Sequence, residues 1–335
     1  MFSLILLTTG TAAGAASAVW AAALLRPFVR CGLLECVSCG EPLVAWRWRP
    51  GRRCSRCQAH DCRWPLLVMA AGACLFLLAG WMFAPQGGDC LAVTEVQPRI
   101  RDWGGLRLPF HLLLLFLLLT ATVTDLLDYV IPDQITLTGT LLAILAAGIS
   151  GDLQIMHIWV NWDPQIAEKP VEIYGPFLPE WMKNHQHLHG LAWSIAGMLT
   201  GGLTIWAGRI ASRLILGQPA MGFGDVTLMA MVGAFLGWQP VLCALAVAPV
   251  CGMVIAGGLR ILTGRTFVAF GPYLAAGAVI VLLTWRFLWV DVTLRMVFSH
   301  WPTVAGVAGS SFAAFCILLV GLRLFRAVPA GMLRK

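Results

Sequence analysis

The chain has 335 residues, 59% of them hydrophobic and 12% charged, with a mean hydropathy of +0.80. A soluble domain carries about twice that charged fraction, and the apolar residues here fall in runs of about twenty, so an ordinary soluble protein is excluded and an all-α, polytopic helix bundle in lipid is indicated. The net charge of +7 would suit nucleic acid. The charges gather on one side of the membrane instead of along one element with aromatic partners, which argues against that partner.

Spans are predicted over roughly 3–25, 66–84, 108–126, 134–150, 190–208, 221–238, 240–259, 271–289 and 303–322, giving about 8–9 crossings. The first has no basic n-region, and positive charge follows it, so it reads as a span with the N-terminus outside and not as a cleaved signal. Its Gly10-to-Gly14 spacing allows close helix packing, but in so Ala- and Gly-rich a stretch the spacing reads as incidental. Alternating from there leaves most of the 23 Lys and Arg residues in cytoplasmic segments, with the C-terminus also inside. The chain then divides into residues 1–25, the first span; 26–65, a cytoplasmic cysteine-rich loop; and 66–107, the second span and an outside loop. Residues 108–290 follow as the transmembrane core with an outside insert at 151–189, and 291–335 as an outside loop, the last span and a cytoplasmic tail.

The cytoplasmic loop contains CVSCGEPLVAWRWRPGRRCSRC, with Cys36, Cys39, Cys54 and Cys57. Two C-x2-C pairs at this separation fit a zinc ribbon, four thiolates completing a tetrahedron. The segment is too polar for lipid and too short for its own core, so structural zinc would explain how it folds. A disulfide or a redox pair is the rival use, disfavoured by a reducing compartment and by the lack of a thioredoxin-like unit. Four thiolates close the coordination sphere, so no catalytic metal is assigned.

Two acidic segments follow. The third span ends in TDLLDYVIPD, with Asp125, Asp128, Pro132 and Asp133, and the proline predicts a break before the fourth helix. Much later MGFGDVTLMAMVGAFLGW opens the sixth span with Gly222, Gly224 and Asp225. Aspartates at helix ends are often solvated boundary residues, and Asp128 reads best that way. A lone G-x-G-D is also weak in a glycine-rich chain. The joint placement of Asp125 and Asp225 at matching depth on different helices is more specific, because carboxylates there need water, a partner or a substrate path. Such a pair could share one proton and act as base and acid.

The D-x7-D segment ending in Pro-Asp, followed by G-x-G-D at a helix start, resembles the GxGD intramembrane aspartic proteases, and among them the type IV prepilin peptidases. GRRCSRCQAHDCRWPLLV, GDVTLMAMVGAFLGW and RTFVAFGPYLAAGAVI resemble further stretches of that family in the same order. The likeness covers most of the chain except 85–107, 151–189 and the last span. It implies Asp125 and Asp225 as the catalytic dyad, with Gly222, Gly224, Asp128, Pro132 and Asp133 in support, in the inner (cytoplasmic) membrane. The expected activity is endoproteolytic removal of the leader from prepilins or pseudopilins at the cytoplasmic face. Pilus or type II secretion assembly proteins and membrane lipid are the implied partners.

Many family members also methylate the new N-terminus. Here the loop between the cysteine pairs is short, and Val68 stands where the family commonly has an acidic residue. Both weigh against that activity, and S-adenosylmethionine is expected only if it is retained. Thr227 likewise replaces a common lysine. The outside insert carries His185, His187 and His189 in HQHLH, which could share a strand face and bind a metal but reads better as solvated loop. The rival functions are a cation-coupled transporter and a catalytically inactive assembly scaffold.

Overall fold

The computed structural model describes residues 2–25, 63–83, 106–159, 179–263, 269–292 and 294–327, and among these every regular element is a helix. Cys36, Cys39, Cys54 and Cys57 lie outside the described residues. In chain order the helices are α1 (Phe2–Leu25), α2 (Arg63–Phe83), α3 (Arg107–Asp128), α4 (Asp133–Ser150), α5 (Glu180–Asn184) and α6 (Gln186–Leu216). Then come α7 (Phe223–Leu236), α8 (Trp238–Thr263), α9 (Gly271–Val290), α10 (Leu294–Ser299) and α11 (Trp301–Ala327). Six of them (α3, α4, α6, α8, α9 and α11) are long and apolar enough to cross a membrane. With the apolar lengths of α1, α2 and α7 beside them, the chain is a multi-pass membrane protein, as its composition indicated.

The sixth predicted span differs most from its expectation. It was expected over 221–238, but α7 has 14 residues, about 21 Å of helix against a hydrocarbon core of about 30 Å. Its neighbours replace lipid around it: Leu228, Met229, Met231, Val232, Ala234, Phe235 and Leu236 have no measurable exposure. A helix apolar on every side belongs in a core, and α7 is the axis of this one. α6, by contrast, runs for 31 residues, about 46 Å, and packs along α7 and α4.

Glycine brings these backbones together. A Cβ on Gly197 of α6 would lie 2.0 Å from the Gly233 carbonyl oxygen of α7, and one on Gly233 would lie 2.0 Å from the Gly197 oxygen. With little hydrophobic drive between helices in lipid, such close approach supplies dispersion contact that larger side chains would prevent. The same device joins α1 to α2, where a Cβ on Gly14 would sit 2.6 Å from the Val68 oxygen and one on Gly10 2.8 Å from the Gly72 oxygen. The Gly10-to-Gly14 spacing is therefore a packing motif and not incidental.

The start of the insert at 151–189 also departs from a solvated loop. Gly151 turns left-handed (φ 69°) to end α4, and Asp152 through Met156 are buried. Arg107 makes a buried ion pair with Asp152 and also donates from Nε to its backbone oxygen at 2.7 Å. Trp238 and Gln239 donate to the Ile158 carbonyl at 2.6 and 3.1 Å, and the Ile158 N–H donates to His189 Nε2 at 3.1 Å. HQHLH is helical from Gln186. Residues two apart on a helix do not share a face, so His189 is buried while His187 is exposed, and His185, the N-cap before the helix, is exposed as well. Residues 151–159 thus pack at the end of the bundle remote from Asp125, which lies eighteen residues along α3 from Arg107, about 27 Å.

Candidate active site

Asp125 stands one turn before the end of α3. That end is set by Tyr129, which is left-handed (φ 55°) and whose N–H donates to the Asp125 backbone oxygen at 3.0 Å. This conformation costs a residue with a Cβ roughly 1–2 kcal/mol, and Tyr129 is 56% exposed. Three residues later Pro132 is extended (φ −67°, ψ 134°) and caps α4. Asp133 then occupies the first turn of α4, where a carboxylate complements the helix dipole. Asp133 is exposed, and its role in the fold is to start that helix.

Asp225 is the third residue of α7. Gly222, extended at φ −69° and ψ 162°, is the N-cap, and its N–H donates to Asp225 Oδ2 at 2.8 Å. This is the reciprocal half of a capping box, which places a short acid three residues into the helix. The Asp125 carboxylate is held in a parallel way from a different element: the Gly271 N–H at the start of α9 donates to its Oδ2 at 2.9 Å. Both carboxylates are buried, at 6% and 7% exposure, and the charge of Asp225 acts on Asp125. Each is thus clamped by one backbone N–H on one oxygen.

Ile131 is the spacer between the two sides. A Cβ on Gly224 would meet Ile131 Cβ at 3.0 Å, and one on Gly271 would meet Ile131 Cδ1 at 3.0 Å and Asp125 Oδ2 at 2.5 Å. Neither glycine leaves room for a side chain, so the α3–α4 turn, the head of α7 and the head of α9 meet around one buried isoleucine. The head of α7 is also tied back to α6, where Arg209 Nη1 donates to the Met221 carbonyl at 2.5 Å. Thr227 donates to the Gly224 carbonyl at 3.1 Å and stays within its own helix.

Of the residues singled out from sequence, Asp125, Asp225, Gly222, Gly224 and Pro132 gather around this meeting point. Asp128 is partly buried, and its Oδ2 is enclosed without a hydrogen-bond partner among the described residues, so it is not simply a solvated end. Sequence reasoning missed Gly271, Ile131 and Arg209. Gly-Pro at a helix start marks a chain turn, but nothing in that dipeptide announces a hydrogen bond to a residue 146 positions away. Among the described residues no three His, Cys, Asp or Glu side chains cluster to hold a metal ion.

The chain is similar to the prepilin leader peptidase/N-methyltransferase of Aeromonas salmonicida (strain A449), 28% identical over 262 residues, which is 77% of this chain and 69% of that protein. The protein of the same name from Pectobacterium carotovorum subsp. carotovorum is 29% identical over 243 residues, 71% of this chain and 66% of its own. That of Klebsiella pneumoniae is 29% identical over 215 residues, 61% of this chain and 68% of its own. No solved structure matches. Residues 176–257, which include Gly222, Gly224 and Asp225, match the Type IV leader peptidase family. These likenesses support reading the chain as a peptidase similar to the members of that family.

Proposed function

We propose that Asp125 and Asp225 are the catalytic dyad of an aspartic endopeptidase that removes the leader of type IV prepilins or pseudopilins at the cytoplasmic face of the inner membrane. The observation that carries this reading is the pairing of two buried carboxylates from separate helices, each held by one backbone N–H. Buried acids within electrostatic reach favour a state in which one carries a proton and the other does not. The ionised carboxylate takes a proton from a water as it attacks the scissile carbonyl, and the protonated one assists departure of the amine. The bonds from Gly222 and Gly271 occupy Oδ2 in each case, which leaves Oδ1 for the water and the substrate. Prepilin leaders are the substrates named for the relatives.

In this reading the N-terminus is outside and the C-terminus in the cytoplasm, with a zinc ion on Cys36, Cys39, Cys54 and Cys57 ordering the loop between α1 and α2. Methyl transfer is named for the relatives; here Val68, in the position of the common acidic residue, is buried against α1 and takes part in packing.

The test is cleavage of a prepilin substrate by purified protein, wild type beside Asp125→Asn and Asp225→Asn, with S-adenosylmethionine in a parallel reaction to read methylation. Cleavage by wild type, and its loss in each variant at an unchanged melting temperature, is the expected result. Equal cleavage by all three would remove the dyad from the mechanism.

A further inference from the structure

We propose that Arg209 is a positioning residue for Asp225, acting through the single peptide plane that joins Met221 to Gly222. The proposal rests on the dyad reading above. The carbonyl of that peptide accepts from Arg209 Nη1 at 2.5 Å, and the N–H of the same peptide donates to Asp225 Oδ2 at 2.8 Å. A trans peptide is planar, with its C=O and N–H pointing in opposite directions. Fixing the oxygen on one side therefore fixes the aim of the hydrogen on the other. A cation on the carbonyl also polarises the amide and strengthens its N–H as a donor, as in any chain of hydrogen bonds.

The rest of the turn is built to hold that plane still. α6 ends at Gly217, which is left-handed (φ 77°), and the chain reaches Gly222 within five residues. Ser212, buried on α6, accepts from the Ala220 N–H at 2.9 Å while donating to the Arg209 carbonyl at 2.9 Å. Consecutive residues 220 and 221 are thus tied to side chains on the last two turns of α6, and the residue after them is the N-cap that binds the acid. Without Arg209 the Met221 carbonyl loses its partner and the peptide is free to rotate about its flanking dihedrals. The Gly222 side of that hinge offers no side chain to resist the rotation. Arg209 donates its hydrogen bond to the Met221 carbonyl and not to the carboxylate of Asp225. Its effect is transmitted to Asp225 through the backbone, and its charge also reaches that carboxylate.

The experiment uses the full-length protein in detergent and a prepilin substrate, comparing wild type with Arg209→Gln, Arg209→Lys and Ser212→Ala beside Asp125→Asn and Asp225→Asn. Arg209→Gln is expected to lower kcat by about 10- to 100-fold, the rate equivalent of one charge-assisted hydrogen bond, with KM within about threefold of wild type. Arg209→Lys restores most of kcat, since an ammonium can still donate to the Met221 carbonyl, and Ser212→Ala gives a smaller fall in kcat. Wild-type kcat in Arg209→Gln overturns the proposal, as does a rise in KM alone, which would make Arg209 a substrate contact. Equal losses with Gln and Lys together with a lowered melting temperature would make it a residue that only holds the fold. Should Arg209→Gln not fold, Ser212→Ala decides: reduced kcat at a wild-type melting temperature supports the relay, and unchanged kcat overturns it. If the Asp→Asn variants retain wild-type cleavage, the dyad reading itself fails. If they lose cleavage while Arg209→Gln keeps it, only the role of Arg209 falls.

Discussion

Gly271→Ala separates positioning of the dyad from stability of the fold. Gly271 is the first residue of α9 and has no left-handed backbone angle, so alanine is conformationally allowed there. It also improves helix propensity by up to about 1 kcal/mol. The added Cβ would lie 2.5 Å from Asp125 Oδ2 and 3.0 Å from Ile131 Cδ1. Restoring ordinary contact requires a shift of about 1 Å, and the carboxylate, as the end of a short side chain, moves more readily than the α9 backbone. Displacing a catalytic group by about 1 Å costs about a hundredfold in rate. The assay is kcat on a prepilin peptide in detergent, read beside a thermal melt. Activity should fall about a hundredfold while the melting temperature stays at or near wild type. A kcat within about threefold of wild type would show that the Gly271 N–H does not aim Asp125, and would refute the clamp.

Gly197→Ala or Gly233→Ala puts a methyl 2.0 Å from a backbone oxygen of the facing helix, so a melt should register about 1–3 kcal/mol of destabilisation or more. A melt unchanged by either would mean that the α6–α7 contact is looser than described. Truncating the buried ion pair by Asp152→Ala should cost about 3–5 kcal/mol because it removes the buried carboxylate that faces the Arg107 charge, and Arg107→Met in the same background should recover part of it; a double-mutant melt with no coupling would contradict this. Purified protein should carry about one zinc per chain, lost on Cys36→Ser with Cys54→Ser. Metal analysis finding none in the wild type would return the loop to a disulfide or redox reading.

The helices were legible because their signals are local. Apolar runs marked every long helix, and Pro132 and Gly222 marked the two breaks beside the aspartates. What sequence could not carry was the side-on geometry. Gly10 and Gly14 look like any small residues in an Ala-rich stretch until α2 is laid against them, and the value of Gly271 appears only once α9 meets α3. The HQHLH stretch was misread because polar residues suggest a loop, whereas His189 satisfies its ring through the Ile158 N–H and enters the bundle as the first turn of α6. Asp152 was passed over for the same reason: a carboxylate in a polar stretch looks solvated unless the arginine that takes it inward, 45 residues earlier, is known.

The dry interior of α7 bears on the energy economy of the cell. A hydrolase in a membrane needs water at its carboxylates, yet a continuous file of water from face to face would let protons leak down their gradient. Here the acid at position 225 is followed within one turn by side chains with no measurable exposure, and these continue to Leu236. At the other end Trp238 and Gln239 hold the Ile158 carbonyl. The described side chains of α7 thus set an apolar barrier between the acid and the far end of the helix, of the kind that lets a bond be hydrolysed without the membrane becoming a short circuit.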